Sequence, residues 1–377
     1  MTVARLRLRI LMVDSERRWR GGQGQVFLLM RGLVDAGVSV ALAAPPDGVL
    51  HARAAELDVE RLPWRAGAGP VAIARLRHAI ARGGFDIVHS HASRAHGAVA
   101  MARVGVRGGP RHVVSRRVDF EVGRGWVGAW KYRRGADAYI AISRGVRDVL
   151  IRGGVDAARI DVVPSGIDLE KLKGVRDPGY LREEFGLRAG ERVLGNVAAL
   201  APHKAQAVLL RAVAMLPGSE NVRTFVVGEG SLRSDLERLA RELGIEERVV
   251  FTGFRSDALE FIRLCDVFVM SSHLEGLGTS IMDAQALGAP VVATRTGGIP
   301  ELVEDGVTGL LVPPDSPSLL AAAIARMLGD ATLRERCARE AKALSAGYDY
   351  RQTVYKTLDV YRRLCDVDVP PGGNRAA

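Results

Sequence analysis

The sequence predicts an α/β fold of two doubly wound, Rossmann-like domains that face each other across a cleft. Apolar runs of strand length alternate with amphipathic helical stretches along nearly all of the 377 residues, in two halves of similar length. A polar segment with glycine and proline, residues 168–179, separates the halves and has the composition of a linker. We expect a first domain over 1–170, a second over 171–347, a final helix over 348–366 and a disordered tail over 367–377.

The elements of the first half follow from apolar periodicity. Strand patterns occur at 8–14, 38–44, 111–115 and 136–143, and residues 85–105 combine a strand, a polar turn and a helix. Apolar residues recur at helical spacing in 25–37, around residue 50, in 70–84, 123–134 and 143–154. The glycine loop 21–24 does not have the spacing of a dinucleotide-binding fingerprint, so a dehydrogenase is disfavoured.

The second half repeats the alternation of strand and helix. Strand patterns occur at 192–200, 223–228, 248–254, Val267–Met270 and 290–293. Helical patterns occur at 206–216, 231–244, 258–265, Thr279–Leu287, 316–328, 331–344 and 350–365. Such an order of elements is typical of parallel sheets covered by helices on both faces.

Composition limits the classes of protein that remain. The chain is 47% hydrophobic and 5% aromatic, as globular proteins are, and it has no apolar run of membrane-spanning length. Residues 8–13 fit a first strand rather than a signal peptide, so we expect a cytoplasmic protein. Three cysteines, Cys265, Cys337 and Cys365, lie far apart without metal-binding spacing, which favours reduced thiols.

The charge balance points to an anionic partner. The formal net charge is +10, and the basic excess lies mainly within residues 1–160. Basic residues are not interleaved with aromatic ones as in nucleic-acid-binding proteins, so no nucleic acid is expected. The segment 123–134 combines Trp126 and Trp130 with basic side chains. It fits a membrane interface at the inner leaflet, a grip on an anionic acceptor, or a basic surface helix whose tryptophans are core.

One stretch carries the chemistry. The buried strand Val267–Met270 leads through the turn 275–278 to a helix that begins at Thr279. A strand, a glycine turn and a helix start together direct unpaired backbone N–H groups and the positive end of a helix dipole at an anion. Two acids, Glu275 and Asp283, flank that position.

A second glycine turn, residues 296–301, follows the next strand. An ordinary α/β sheet with a glycine at each turn is the simpler interpretation of either turn alone. Two turns on one sheet edge, together with the acid spacing, favour a cradle for a nucleoside diphosphate that carries hydroxyl-rich groups.

This stretch resembles the signature of the retaining, GT-B-fold glycosyltransferases of family four, also called glycosyl transferases group 1. That signature is a glutamate, seven residues, a second glutamate, and then a Gly-Gly-x-x-Glu turn. Here Glu275 is followed by Asp283, one methylene shorter than the family residue, and by Gly297, Gly298 and Glu301. The resemblance covers nearly the whole chain and implies that the last helix returns to pack on the first domain.

The resemblance also implies a donor site. Glu275 would bind the transferred sugar, Asp283 the ribose hydroxyls, Lys204 the diphosphate, and Arg255 would lie where the base is seated. The turn and helix start contribute Gly276, Leu277, Gly278, Thr279 and Ser280. Two family positions differ, because Ala199 replaces an arginine and Ala205 replaces a glycine.

In the first domain the resemblance implies acceptor binding, with Gly21 and Gly22 facing the donor phosphates. Arg117 occupies the place of a family histidine near the reacting carbon of the sugar. Arginine cannot act as a base, but it can pair with a phosphate or an anionic sugar. His89, His91 and His96 follow or end a strand, where α/β folds bind ligands, and we expect His91 to face the cleft.

The implied function is a metal-independent hexosyltransferase that acts with retention of anomeric configuration and needs no cofactor. Glu275, Lys204, Arg117 and His91 are its candidate catalytic residues. The donor would be a nucleotide sugar, and the acceptor would be a glycan or a lipid-linked acceptor in cell-envelope polysaccharide or lipopolysaccharide synthesis. Two alternatives stay open, a nucleotide-sugar epimerase of the same fold and a non-catalytic nucleotide-sugar-binding protein.

Overall fold

Parallel strands form the centre of both domains in the computed structural model, which describes residues 8–65, 69–106, 108–122, 125–216 and 221–365. The strands of the first domain are β1 (Arg9–Val13), β2 (Ser39–Ala44), β3 (Glu60–Pro63), β4 (Ile87–Ser90), β5 (Arg111–Arg116), β6 (Ala138–Ala141) and β7 (Ile160–Val162). Those of the second are β8 (Arg192–Val197), β9 (Val222–Val227), β10 (Val249–Gly253), β11 (Val267–Met270), β12 (Val291–Thr294) and β13 (Leu310–Val312).

Helices connect these strands. In the first half they are α1 (Gly21–Asp35), α2 (Val49–Arg53), α3 (Pro70–Arg82), α4 (Ser93–Ala102), α5 (Trp126–Arg134), α6 (Arg144–Arg152), α7 (Leu169–Lys173) and α8 (Gly179–Glu184). In the second half they are α9 (Gln206–Ala214), α10 (Arg233–Glu242), α11 (Ala258–Leu264), α12 (Thr279–Leu287), α13 (Pro317–Gly329), α14 (Ala331–Leu344) and α15 (Tyr350–Cys365). Among the described residues, no helix is both long and apolar enough to cross a bilayer.

The strand orders place a binding cleft. The first sheet runs β3-β2-β1-β4-β5-β6-β7 and the second β10-β9-β8-β11-β12-β13, and every pairing is parallel. The order reverses between β1 and β4 and between β8 and β11. Ligands of such sheets bind outside the carboxyl ends of the strands at the reversal. The predicted pair of doubly wound domains is confirmed, and each reversal point lies at the edge that faces the other domain.

The last helix packs on the first domain, as the resemblance implied. Val354 and Leu358 of α15 share a buried apolar cluster with Met30 and Leu33 of α1. A side chain at Gly32 would overlap Val354, so close helix packing requires glycine there. The exact domain limits near 170 and 347 stay a prediction, and the predicted tail 367–377 lies outside the described residues.

Several local features differ from the sequence prediction, which did not include β7, β13, α7 or α8. The glycine loop 21–24 is the first turn of α1 rather than a loop, because Gly24 already donates its N–H to the Arg20 carbonyl at 3.1 Å. The edge strand β3 was missed. Its residues Glu60–Pro63 are mostly exposed, and their charged side chains hide the alternation on which strand prediction relies.

Candidate functional site

The amino terminus of α12 is the centre of the site. Gly278 adopts φ 94°, a left-handed conformation that favours glycine, and it turns the chain from the end of β11 into the helix. The N–H groups of Thr279 and Ser280 have no acceptor among the described residues, and the first turn contains no acidic residue. The positive end of the helix dipole and these two donors are therefore available to an anion.

The amino terminus of α1 lies opposite, across the cleft. A methyl group added to Gly21 would lie 3.8 Å from Thr279 Oγ1, so the first turns of α1 and α12 are close neighbours. The first turn of α1 likewise contains no acidic residue. Two helix amino termini that meet in one gap concentrate positive potential there. The predicted donor residues Gly21, Gly22, Gly278, Thr279 and Ser280 are thus brought together.

Lys204 and Glu275 form an ion pair beside this gap. The side chains are 17% and 11% exposed, so the pair is largely removed from water. Glu275 Oε2 also lies 3.4 Å from the Ser272 hydroxyl group. Two residues that were predicted separately, as a diphosphate clamp and as a sugar ligand, are therefore partners of each other. Ala205, after Lys204, has φ 48°, so the lysine is followed by a left-handed residue where the family has glycine.

Asp119 is a site residue that sequence reasoning missed. Its Oδ2 accepts a hydrogen bond from the backbone N–H of Glu275 at 2.9 Å, which joins the two domains at the turn. Burial raises the pKa of the Asp119 carboxyl group, although the hydrogen bonds it accepts oppose that shift. The neighbouring Phe120 ring meets the His203 ring edge-on at 5.5 Å between centroids. The only indication of this role in the sequence is that an acidic residue lies two positions after Arg117.

The second glycine turn supports the first instead of binding phosphate. Gly298 donates its N–H to the Glu275 carbonyl at 3.0 Å, and side chains at Gly297 or Gly298 would overlap the backbone of the first turn. Glu301 Oε1 accepts the N–H groups of Arg144 at 2.7 Å and Gly145 at 3.3 Å. The prediction that both turns form one phosphate cradle is therefore wrong for 296–301, whose amide and acid are used in packing.

Arg117 and His91 lie together at the floor of the first-domain side of the cleft. Arg117 Nη2 lies 3.3 Å from His91 Nδ1, and a methyl group at Gly22 would lie 3.9 Å from Arg117 Cδ. The His91 ring is only 7% exposed, so it does not face the cleft openly as expected. Burial, with the charges of neighbouring groups, lowers the pKa of His91 well below its usual value and keeps the ring neutral.

Two other predicted donor residues, Leu277 and Arg255, have constrained side chains. Leu277 is 2% exposed and belongs to the core, so only its backbone can contact a ligand. Arg255 forms ion pairs with Glu184 and Asp257, which raise the pKa of its guanidinium group and already occupy it, so the role beside a base stays a prediction. Burial raises the pKa of Asp283 to about 7.

The other two predicted histidines, His89 and His96, are buried among side chains of the first domain. His89 is fully buried, with Nδ1 2.5 Å from the Tyr361 hydroxyl group and Nε2 2.8 Å from Ser115 Oγ. His96 packs edge-on against Tyr132 and is buried as well. Within the described residues, no three His, Cys, Asp or Glu side chains are arranged to hold a metal ion.

Comparison with protein families assigns both halves of the chain. Residues 180–344 match the family described as Glycosyl transferases group 1. Residues 19–171 match the family described as Glycosyltransferase Family 4. The two matches lie on either side of the segment that was expected to link the domains.

Two bacterial relatives carry the name D-inositol 3-phosphate glycosyltransferase. That of Nocardia farcinica is 37% identical over 220 residues, which is 55% of this chain and 48% of the relative. That of Mycobacteroides abscessus is 36% identical over 246 residues, which is 62% of this chain and 54% of the relative. This chain therefore spans about half the length of the curated relatives that it matches.

A solved structure shares the fold over almost the whole chain. The crystal structure of HepE from Anabaena in complex with UDP-glucose superposes with a TM-score of 0.82 at 23% identity, covering 94% of this chain and 100% of the other. The similarity at this level of identity establishes the GT-B architecture.

Proposed function

The chain belongs to the group 1 glycosyl transferases, and on that premise we propose that it moves a hexosyl group from a nucleoside-diphosphate sugar to an acceptor hydroxyl group. The observation that supports this most is the gap between α1 and α12, where two helix amino termini meet. Their unpaired N–H groups and dipoles suit the two negative phosphates of such a donor. Because HepE binds UDP and UDP-glucose, a UDP-sugar is the first donor to test.

Negative charge builds up on the departing diphosphate during the transfer. The N–H groups of Thr279 and Ser280 are already oriented, so they stabilise that charge without reorganisation. Lys204 is held by Glu275. A donor that arrives between them would share the ammonium group with the carboxylate, while Glu275 accepts hydrogen bonds from the sugar hydroxyl groups.

We propose that the transfer retains the configuration at the anomeric carbon. The bond from that carbon to the phosphate oxygen breaks, a bond to the acceptor oxygen forms on the same face, and the acceptor proton passes to the departing phosphate. Arg117 cannot accept this proton, and His91 is buried beneath it and already contacts its guanidinium group. The scheme needs no protein base, which fits these two residues.

The positive groups that assist departure of the diphosphate would all come from the protein, so we propose that transfer is metal-independent and uses no cofactor. Lys204 and the two helix dipoles supply them. Turnover should therefore persist in excess EDTA, and an absolute requirement for added Mg²⁺ or Mn²⁺ would contradict this part of the proposal.

The direct test is incubation of the protein with UDP-sugars and a panel of glycan and lipid-linked acceptors, with products identified by mass spectrometry. NMR coupling constants of the product then give its anomeric configuration. Conversion of the donor without any acceptor would favour the epimerase alternative. Tight UDP binding without any conversion across the panel would favour a non-catalytic binding protein.

Helix α5 presents exposed apolar and basic side chains that suit a membrane surface. Trp126 is 85% exposed and Val127 is 56% exposed, and Arg133 and Arg134 of the same helix are exposed cations. Lys131 is instead engaged with Ser93, and burial lowers its pKa to about 8. An exposed tryptophan beside arginines suits the interface of an anionic leaflet, so we propose peripheral binding at the inner membrane face, in cell-envelope polysaccharide or lipopolysaccharide synthesis.

Sedimentation with phosphatidylglycerol vesicles tests that location. Binding should be present at low salt, weaken at high salt, and fall in Trp126→Ser. A matched control is Tyr355→Ser, which removes another exposed aromatic side chain from α15. Equal sedimentation of the unmodified protein with neutral and anionic vesicles, or none at low salt, would contradict the proposal.

A further inference from the structure

The guanidinium group of Arg117 is a half-buried cation without an anionic partner. Its Nη1 lies 3.4 Å from Ser165 Oγ and its Nη2 lies 3.3 Å from His91 Nδ1, and both partners are neutral. Its Nε is buried and has no acceptor within the part of the chain that the structure describes. Among the described residues no carboxylate lies within ion-pair distance of this group. Buried charges in proteins are normally paired, so the arrangement is incomplete as it stands.

The side chains beneath Arg117 cannot supply the missing charge. The His91 ring contacts Met12 Sδ through Nε2 at 3.1 Å and lies tilted against the His89 ring at 4.0 Å between centroids. His89 in turn uses its two nitrogens with Tyr361 and Ser115. This layer is a network of buried neutral groups. It holds the guanidinium group in place without neutralising it.

Asp14, an acid that attracts Arg117 electrostatically, is also committed elsewhere. Its Oδ1 accepts the N–H of Glu16 at 2.7 Å, and its Oδ2 lies 3.3 Å from Gln23 Nε2. Asp14 acts on Arg117 only through longer-range attraction. Two other arginines are paired, since Arg255 is bound by two carboxylates and Arg31 by Asp168 at 2.7 Å. Arg116 also lacks a carboxylate partner among the described residues, but its two Nη groups are used by the Tyr132 hydroxyl group and the Phe120 carbonyl.

The position of Arg117 indicates where an anion that pairs with it would bind. Its side chain lies against Gly22 in the first turn of α1, and its carbonyl lies against Gly276 of the opposite turn. A further anion beside the diphosphate in this gap would meet the guanidinium group of Arg117 where its side chain lies against Gly22. Lys204 belongs to the second domain and is paired with Glu275, so it is a cation distinct from Arg117.

From this arrangement we propose that Arg117 binds an anionic group, a carboxylate or a phosphate, that a sugar substrate carries in addition to the donor diphosphate. This inference rests on the proposed function and specifies its substrate class. The group can belong to the transferred sugar, as in a uronic acid, or to a phosphorylated acceptor. Arginine suits either one because its planar fork matches both oxyanions.

Isothermal titration calorimetry with two matched ligand pairs tests the inference. The first pair compares the affinities for UDP-glucuronate and UDP-glucose, and it examines the donor sugar. The second pair compares the affinities for inositol 1-phosphate and inositol, both measured with UDP present, and it examines the acceptor. The unmodified protein should prefer the charged member of one pair by about tenfold or more, as a charge-assisted hydrogen bond gives. Arg117→Gln should abolish that preference and should weaken binding of the charged ligand clearly more than it weakens binding of UDP alone.

Two further variants separate charge from fold. Arg117→Lys should keep part of the preference, because it keeps the charge but loses the fork. Arg82→Gln removes an exposed arginine at the end of α3, at the opposite edge of the sheet, and should leave the preference unchanged. Melting temperatures of all variants show whether each has folded.

Three results would overturn the inference. In the first, the unmodified protein binds both members of each pair with equal affinity. In the second, the preference for the charged ligand survives in Arg117→Gln. In the third, Arg117→Gln loses as much affinity for UDP as it loses for the charged ligand. The last result would make Arg117 a diphosphate clamp. If the unmodified protein fails to bind UDP at all, the proposed function itself fails and this inference fails with it.

Discussion

The carboxylate of Asp119 in the first domain accepts a hydrogen bond of 2.9 Å from the backbone N–H of Glu275 in the second. The contact fixes the turn that precedes α12 against the end of β5. Glu301 makes the reverse contact, since its carboxylate accepts N–H groups at the start of α6. Each domain thus contributes one acid that holds the backbone of the other in the arrangement that forms the site.

Replacing Asp119 should impair catalysis by misplacing Glu275. We expect Asp119→Ala to lower kcat/KM for the sugar donor about 10- to 100-fold, because a hydrogen bond to a charged group is lost at a preorganised turn. Asp119→Asn keeps an oxygen acceptor of the same shape and should recover most of the loss. Steady-state kinetics of both variants measure this. An Asp119→Ala variant with unchanged kcat/KM would show that the contact has no role in catalysis.

The ion pair of Lys204 and Glu275 predicts two different kinetic defects. Glu275→Gln should lower kcat by two orders of magnitude or more with little change in UDP affinity, because UDP lacks the sugar that Glu275 would contact. Lys204→Met should weaken UDP binding by about tenfold or more, since an ammonium group no longer opposes the diphosphate. Calorimetry and initial rates separate the two.

The same pair should also couple energetically in stability. Removal of one partner leaves a largely buried charge unpaired, so either single variant should be less stable than the double variant Lys204→Met, Glu275→Gln. Urea denaturation of the four proteins gives the coupling free energy. Additive effects of the two substitutions would mean that the pair is not formed in solution.

Ala205 is predicted to be a strained position. A non-glycine residue at φ 48° costs about 1 kcal/mol or more relative to glycine, and the greater freedom of glycine in the unfolded chain offsets part of that gain. Ala205→Gly should therefore raise the free energy of unfolding by about 0.5 kcal/mol. Ala322→Gly, at an exposed position inside α13, should lower it by about 1 kcal/mol. A loss of stability in Ala205→Gly would show that the left-handed conformation is not the native one.

Asp283 should make stability depend on pH. Its pKa is raised from 3.8 to about 7 by burial, so the native state holds the proton more tightly than the unfolded state does. The free energy of unfolding should therefore fall as the pH rises from about 4 through about 7, and this effect should level off above that. Asp283→Asn should remove this slope and should be more stable than the unmodified protein at pH 8. Denaturation curves between pH 4.5 and 8 test it, and a slope that persists in Asp283→Asn would contradict the assignment.

Sequence reasoning predicted the local structure of the second-domain stretch well because its signals are local. The strand Val267–Met270 and the helix Thr279–Leu287 have the predicted bounds, since an apolar run, a glycine turn and a helix start fix one another within a short segment. The parallel order of the elements likewise gave the two doubly wound sheets. The residues directly before and after each turn were enough to predict these strands and helices.

Contacts between distant segments were not predictable in the same way. Asp119 and Glu275 are separated by 156 residues, and nothing near either one indicates the other. The same holds for Glu301, whose motif suggested a ligand contact but whose carboxylate meets α6. Lys204 and Glu275 were both predicted, yet their pairing depends on how the ends of β8 and β11 lie beside each other.

The measurement that bears most directly on the central claim is a crystal structure of the protein with UDP. The account predicts that the diphosphate lies in the gap between α1 and α12, within hydrogen-bond distance of the Thr279 and Ser280 N–H groups and close to Lys204. A diphosphate bound elsewhere, or one that leaves those two N–H groups without contact, would contradict it.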